Sequence, residues 1–300
     1  MLSAGNLAVK APDTDREKSP GLLISFFLDS CETKGLTKST LKYYREKLQV
    51  YNSFLSGRQI TGEGIAGFTR HLSKTNNPQA ANCYLRAVKV FIRWAADQGL
   101  HPLLKVPMVK GRPVPPTPLN LKNAQRLLDA ARKGPLGDRN EAIILTMLDT
   151  GCRPSELCNL KMTDVTFDRC TLLLDGKTGT RSVPFGPSVK KSLLAYLRPR
   201  PFLNERSPLF QTQDGMAMTP TTLVVLFRRL RQSAGIKERC FPYLTRHSAG
   251  TSMLQNGADL ETVRKLLGHA SITTTQNYLH LNVGDVARVQ RRTSMVNVLR

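Results

Sequence analysis

The sequence predicts a mainly α-helical protein with one small antiparallel β-sheet, divided into two domains. Three observations carry this reading. Apolar residues recur at helical spacing through both halves, one hairpin signal stands around Gly176, and Pro102, Pro107, Pro113, Pro115, Pro116 and Pro118 crowd a single short stretch. Proline fixes φ and lacks an N–H, so the stretch 101–118 reads as an extended, fairly stiff linker. Three hundred residues also exceed what one core usually needs. The expected division is therefore a loose tail over 1–19, a helical domain over 20–100, the linker over 101–118 and a second domain over 119–300.

In the first domain the spacing of Leu41, Tyr44, Leu48, Tyr51, Phe54 and Leu55 marks one helix. That of Tyr84, Leu85, Val88, Phe91, Ile92 and Ala95 marks another, with Asn77-Pro78 as its cap and first turn. About four helices are expected there. In the second domain Asp138 and Glu141 read as a capping box for a helix that stops at Gly151. Thr171 to Asp175, the turn Gly176-Lys177-Thr178-Gly179 and Arg181 to Phe185 form the hairpin signal. Helices then resume from Thr219-Pro220 to Gly235, from about Leu244 to Gly257, from Asp259 to Gly268, and from Ser271 onward. No internal repeat or low-complexity tract is evident.

The chain carries 44 Lys and Arg against 22 Asp and Glu, a formal charge of +22, while 40% of it is hydrophobic. Such a chain is folded, and its charge asks for a polyanionic partner, most commonly nucleic acid. All parts share the bias: 14 basic and 8 acidic side chains in 1–100, 3 and none in 101–118, 27 and 14 in 119–300. Charge on both sides of a linker suits a clamp that meets phosphates on two faces of a duplex. There is no apolar run of the ~20 residues a membrane span needs and no secretory-signal pattern at the start, so a soluble cytoplasmic protein is expected. Six dispersed cysteines without a Cys-x-x-Cys read as reduced, mostly buried thiols, not as a zinc site or disulfide framework.

Three stretches of the second half carry chemistry. They are Leu148-Asp149-Thr150-Gly151-Cys152-Arg153-Pro154-Ser155-Glu156-Leu157, Tyr243-Leu244-Thr245-Arg246-His247-Ser248-Ala249-Gly250-Thr251, and Leu266-Leu267-Gly268-His269 with Tyr278 nine residues beyond the histidine. In this order they resemble the tyrosine recombinase (phage integrase) family. The resemblance covers the whole catalytic half, and the four-helix reading of 20–100 fits the family's core-binding domain. It implies a two-domain C-shaped clamp: a helical core-binding domain plus an α+β catalytic domain that cuts and rejoins DNA through a phosphotyrosine bond.

Carried over residue by residue, the resemblance implies that Arg153 and Arg246 bind the non-bridging phosphate oxygens, a role the planar guanidinium fills better than an ammonium. Lys177 matches the family's mobile lysine, the general acid that protonates the departing 5′ oxygen. Tyr278 matches the nucleophile, and the 3′-phosphotyrosyl link it leaves stores the phosphodiester energy, so neither ATP nor a metal ion is implied as cofactor. His269 matches the position that bonds the phosphate or the nucleophile. Glu156 braces the arginine, and His247 reads as a packed histidine orienting Arg246. Tyr243 stands where the family usually has the first histidine of His-x-x-Arg-His; a phenol donates a hydrogen bond but shuttles protons poorly near neutrality.

Further basic residues have two readings. Arg228, Arg229 and Arg231 form either a solvated helix face or a set of phosphate or base contacts. Lys105, Lys110 and Arg112 in the linker have no acid nearby and suit phosphate contacts. The resemblance implies double-stranded DNA with inverted half-sites as substrate, bound by a homo-tetramer or a heterotetramer with a related recombinase. A terminal helix over 283–299 would pack into the neighbouring subunit through Val286, Val289, Met295, Val296 and Leu299. About twenty residues before the core-binding domain leave no room for an arm-binding domain, which points to the compact Xer-like branch or a small mobile-element integrase. The alternatives are a type IB topoisomerase, with the same chemistry in a monomer, and a DNA-binding relative that does not cut.

Overall fold

A computed structural model of the chain describes residues 19–111, 116–176, 179–200 and 204–269. The chain folds as two compact units, Met1–Val114 and Pro115–Arg300.

Four helices make the first unit: α1 Pro20–Thr33, α2 Lys38–Leu55, α3 Gly62–Thr75 and α4 Pro78–Asp97. Each starts at a side-chain cap that accepts from the backbone N–H three residues on: Ser19, Thr37, Thr61 and Asn77. Proline occupies the first turn of α1 and α4, where its missing N–H costs nothing. The apolar stripes meet in one core of Leu23, Phe27, Leu48, Tyr51, Phe68, Leu85 and Phe91. Phe27 takes Tyr44, Phe91 and Trp94 edge-on, with centroids 5.2 to 5.7 Å away.

The stretch after α4 is extended but is not a free spacer. Val106 is buried in this core, and Leu104 and Val109 pack against it. The Asn82 side chain donates to the Val109 carbonyl (3.0 Å) and accepts from its N–H (2.9 Å), closing a 27-residue loop. Residues 104–109 are thus a strap on the first unit.

The second unit holds α5 Leu121–Ala131, α6 Gly137–Thr150, α7 Pro154–Asn159, β1 Val165–Thr166, β2 Thr171–Gly176, β3 Gly179–Pro184, α8 Pro187–Leu197, α9 Pro220–Ser233, α10 Pro242–Gln255 and α11 Leu260–Leu267. The three strands pair antiparallel in the order β1-β2-β3. Leu172 faces Val183 and Leu174 faces Arg181, and the ladder ends with Gly176 opposite Gly179. One sheet face therefore joins Leu127, Ile143, Ile144, Met147, Leu193, Phe210 and Phe227 in the core. The fold is mostly helical with one small antiparallel sheet, as the periodicity and the single hairpin signal predict.

One local expectation fails. Helix α6 begins at Gly137, after Leu136 and without a side-chain cap, so Asp138 lies inside its first turn and not at its cap. Glu141 pairs with Arg132 at 2.9 Å, not with the backbone at Asp138. With Leu136 at the cap position the helix starts two residues earlier than a cap at Asp138 would start it, and a Cβ at Gly137 would strike the Arg132 carbonyl. Of the expected tail over 1–19 only Ser19 is described, and it caps α1; the rest of that tail and the helices expected from Ser271 onward and over 283–299 lie outside the described residues.

Candidate active site

The site grows from the break between α6 and α7. Gly151 ends α6 in the left-handed conformation, φ 62°. Arg153 follows as the cap position of α7, with Pro154 in the first turn and Glu156 reaching back. Glu156 Oε2 accepts from the Arg153 N–H at 2.7 Å and Oε1 from Arg153 Nη1 at 2.6 Å. Arg181 on β3 grips the same carboxylate, Nη1 on Oε1 and Nη2 on Oε2, both at 2.8 Å. The carboxylate is fully buried and all its acceptor directions are used.

The far wall is the end of α11. Helices leave their last carbonyls unbonded and carry partial negative charge there, which suits cations. Four consecutive carbonyls each take a different arginine: Leu266 from Arg181 Nε (2.9 Å), Leu267 from Arg246 Nη2 (2.6 Å), Gly268 from Arg153 Nη2 (2.8 Å) and His269 from Arg264 Nη1 (2.8 Å). Arg246 also donates to the Gly151 carbonyl at 2.9 Å, which ties α10 to the break after α6. Gly268 makes the turn possible: its φ is +65°, and a Cβ there would lie 2.9 Å from the Arg181 guanidinium.

These contacts set the protonation states. Burial alone would raise the Glu156 carboxyl, but Arg181 and Arg153 outweigh it and hold it at about 2. Burial, then the positive charge of Arg246, Arg153, Arg181 and Arg264, pushes His269 down to about 4. Near neutrality the site thus holds a carboxylate, its arginines and an uncharged imidazole. Among the described residues Glu156 pairs with Arg153 and Arg181, and Glu261 with Arg264. A cleft of about 280 Å³ opens beside them, lined by Thr180, Arg181, Arg264, Lys265 and His269 with Gly179 and Gly268.

Arg153, Glu156, Arg246 and His269 therefore converge, although they come from α7, α10 and the end of α11. Arg246 is 3% exposed and His269 6%. Tyr243 lies in the first turn of α10, one turn before Arg246, and is 55% exposed. His247 is half-buried on the same helix. Lys177 and Tyr278 lie outside the described residues, as does Arg112; Gly176 and Gly179, which flank the Lys177 turn, pair directly. Lys105, Lys110, Arg228 and Arg229 are exposed. Arg231 departs from that run: it is half-buried and its Nε is enclosed, near the Cys240 thiol. Among the described residues no three His, Cys, Asp or Glu side chains gather as a metal site would require.

Arg181 and Arg264 are absent from the sequence expectation. Arg181 had a legible signal, because it alternates with Val183 on the inward face of β3 and with Phe185 just beyond it, and an inward arginine needs a buried acid. Arg264 had a weaker one, its place three residues after Glu261 in the last turn of α11.

With this geometry in view, the comparisons with known proteins agree. The model of the phage integrase family matches residues 118–284. Tyrosine recombinase XerD of Ralstonia nicotianae is 34% identical over 274 residues, 86% of this chain and 87% of that protein. Tyrosine recombinase XerC of a Mycobacterium species is 36% identical over 256 residues, 81% of each. Among solved structures, the Tn1549 transposon integrase in complex with transposon right end DNA superposes with a TM-score of 0.75 at 19% identity, covering 91% of this chain and 99% of that one. A lambda integrase dimer bound to a core site gives 0.74 at 18%, covering 88% and 78%. The fold is thus that of integrase catalytic proteins. The chain belongs to the phage integrase family, the tyrosine recombinases, and within it is Xer-like. Its activity is site-specific DNA recombination by strand cleavage and rejoining, and the topoisomerase alternative is not favoured.

Proposed function

We propose that the Arg153–Arg246 pair grips the scissile phosphate, that Tyr278 attacks it, and that His269 and Lys177 handle the two protons. The observation that carries this is the convergence of buried Arg246 and half-buried Arg153 beside buried His269. Each guanidinium has five N–H donors in one plane, and the two contacts on Arg153 fix that plane while leaving donors for phosphate oxygens. Such donors, positioned before the reaction, stabilise the charge that builds on the non-bridging oxygens in the transition state.

The Tyr278 oxygen bonds to phosphorus as the bond to the 5′ oxygen breaks. The phenol proton passes to neutral His269, and the leaving oxygen takes a proton from Lys177. Attack by a free 5′ hydroxyl on the 3′-phosphotyrosyl link reverses these steps and rejoins the strand. Guanidinium and ammonium groups supply all the positive charge this sequence needs, so no cofactor takes part. Tyr243 presents its phenol on the Arg246 face of α10 and donates to a phosphate oxygen. Glu156 braces Arg153, and His247 packs beside Arg246.

The substrate in this reading is double-stranded DNA with inverted half-sites. The first unit, Lys105, Lys110, Arg112, Arg228 and Arg229 meet its backbone, and Arg231, with its enclosed Nε, contributes less. A tetramer of this chain, or of this chain and a related recombinase, is the working assembly; lambda integrase is known both as a dimer on a core site and as a tetramer on a Holliday junction, which supports it. No described helix is long and apolar enough to cross a membrane. Selection from random duplexes should recover two half-sites of about one helical turn each. On a nicked suicide duplex built from them, Tyr278→Phe should bind as the wild type does and trap no covalent complex; an adduct that survives the change refutes the assignment.

A further inference from the structure

Arg181 is the residue around which the site is assembled, and none of the roles above uses it. Its side chain is 13% exposed. Nε holds the Leu266 carbonyl while Nη1 and Nη2 each hold one oxygen of Glu156, so one guanidinium joins β3, α7 and the end of α11. Two glycines make room for this. Gly268 lies against the guanidinium, and a Cβ on Gly176 would strike Glu156 Oε1. Glycine is the only residue type that leaves the three elements this close.

Glu156 is therefore a shared carboxylate. Oε1 accepts from a guanidinium nitrogen of each arginine, and Oε2 from the Arg153 backbone and from Arg181. Sharing has two consequences. The carboxylate plane is fixed by Arg181, and that plane fixes the guanidinium of Arg153. One negative charge is also divided between two positive ones, so Arg153 keeps part of its pull on a phosphate. Without Arg181, Glu156 would pair with Arg153 alone and neutralise it.

The same guanidinium holds the hairpin. Arg181 stands opposite Leu174, two ladder steps from the Gly176–Gly179 pair that flanks the Lys177 turn. Its Nε bond ties that hairpin to the turn that carries Gly268 and His269.

We propose that Arg181 is a positioning residue of the cleavage reaction, setting Arg153 through Glu156 and locking the β2–β3 hairpin to the turn that carries His269. The proposal rests on Arg153 and His269 acting at the scissile phosphate. It differs from a further phosphate contact, because three of the five N–H donors of Arg181, one on each nitrogen, are taken by Glu156 and Leu266 and hold its plane against the protein. A phosphate ligand would add to affinity and to its salt dependence, whereas a positioning residue changes the rate in the bound complex.

The test uses the full chain and a nicked suicide duplex carrying the selected half-sites. Single-turnover adduct formation at saturating chain, and Kd at several salt concentrations, are measured for wild type, Arg181→Ala, Arg181→Lys, Glu156→Gln and the Arg181→Ala/Glu156→Gln pair. Arg181→Ala should slow adduct formation by about 10- to 100-fold, the scale of losing a partner that orients a reactive group. Its Kd and the slope of log K on log salt should match the wild type. Arg181→Lys should recover only part of the rate, since one ammonium cannot hold both Glu156 oxygens and the Leu266 carbonyl. The pair should be slower than Glu156→Gln alone by clearly less than Arg181→Ala is slower than the wild type, because only the Leu266 bond of Arg181 is then left to lose. Defects that multiply in the pair, a salt slope lower by about one, or a wild-type rate in Arg181→Ala overturns the proposal. If Arg181→Ala does not fold by thermal melting, Arg181→Lys and the pair decide on the same criteria. Absence of any adduct from the wild type fails the recombinase reading itself, and the proposal with it.

Discussion

Replacing Glu156 with glutamine leaves the volume of the side chain intact and removes one buried negative charge, which isolates the electrostatics of the arginine cluster. The carboxylate accepts from Arg153 and Arg181 at 2.6 to 2.8 Å, and these donors hold its pKa at about 2 against an ordinary 4.5. A displacement of that size corresponds to about 3 kcal/mol at neutral pH. Losing one partner of a buried ion pair costs about 3 to 5 kcal/mol by general experience, so the two routes agree. For a unit of this size each kcal/mol moves Tm by about 2–4 °C, so the second unit should melt roughly 6–12 °C lower. The pH dependence gives the claim its sign. A carboxyl depressed in the folded state stabilises fully above the unfolded value and loses that contribution as pH falls through the folded one. Melting curves by circular dichroism should therefore show a constant gap between wild type and variant from pH 7 to 5, narrowing below 4.5 as pH moves toward 2. A gap under ~2 °C at pH 7, or one that does not narrow in acid, would refute the reasoning.

Two further predictions concern the protons. His269 is neutral until pH falls toward about 4, so cleavage at limiting DNA should stay level from pH 6.5 to 5 and fall only below that; a limb centred at 6.5 would show that the arginines do not depress it. In Lys177→Ala, cleavage of a normal phosphodiester should slow by the 10²–10⁴-fold, in round figures, typical of a general acid. Replacing the bridging 5′ oxygen with sulfur, which departs as a stable thiolate, should restore most of the rate in that variant but not in Arg153→Ala. Equal defects on both substrates would mark Lys177 as a binding residue.

What was legible in the sequence follows a physical divide. Helix ends written by adjacent residues were readable, because caps act over three positions: Asn77-Pro78, Thr219-Pro220, and Asp259 with Gly268 all stand where their chemistry puts them. The hairpin was readable because Gly176 and Gly179 bound a two-residue turn. Asp138-x-x-Glu141 misled because the same pattern serves a cap and a first turn; here Leu136 takes the cap position and Glu141 turns to Arg132. The strap at 104–109 depends on Asn82, 27 residues earlier, which no local pattern records. In the site, Arg153, Glu156, Arg246 and His269 were reached by motif order and do converge. Motif order does not reach Arg181; its alternation with Val183 marks an inward arginine, but nothing local names Glu156 as the acid it meets.

The point at which the DNA becomes attached tests the mechanism most directly. Wild-type chain should be incubated with the nicked suicide duplex in excess EDTA, digested, and the DNA-bearing peptide sequenced. The DNA should be found on Tyr278 through a 3′ phosphate, in the same yield as without chelator. Attachment at Tyr243, or cleavage that stops until magnesium is restored, would contradict it.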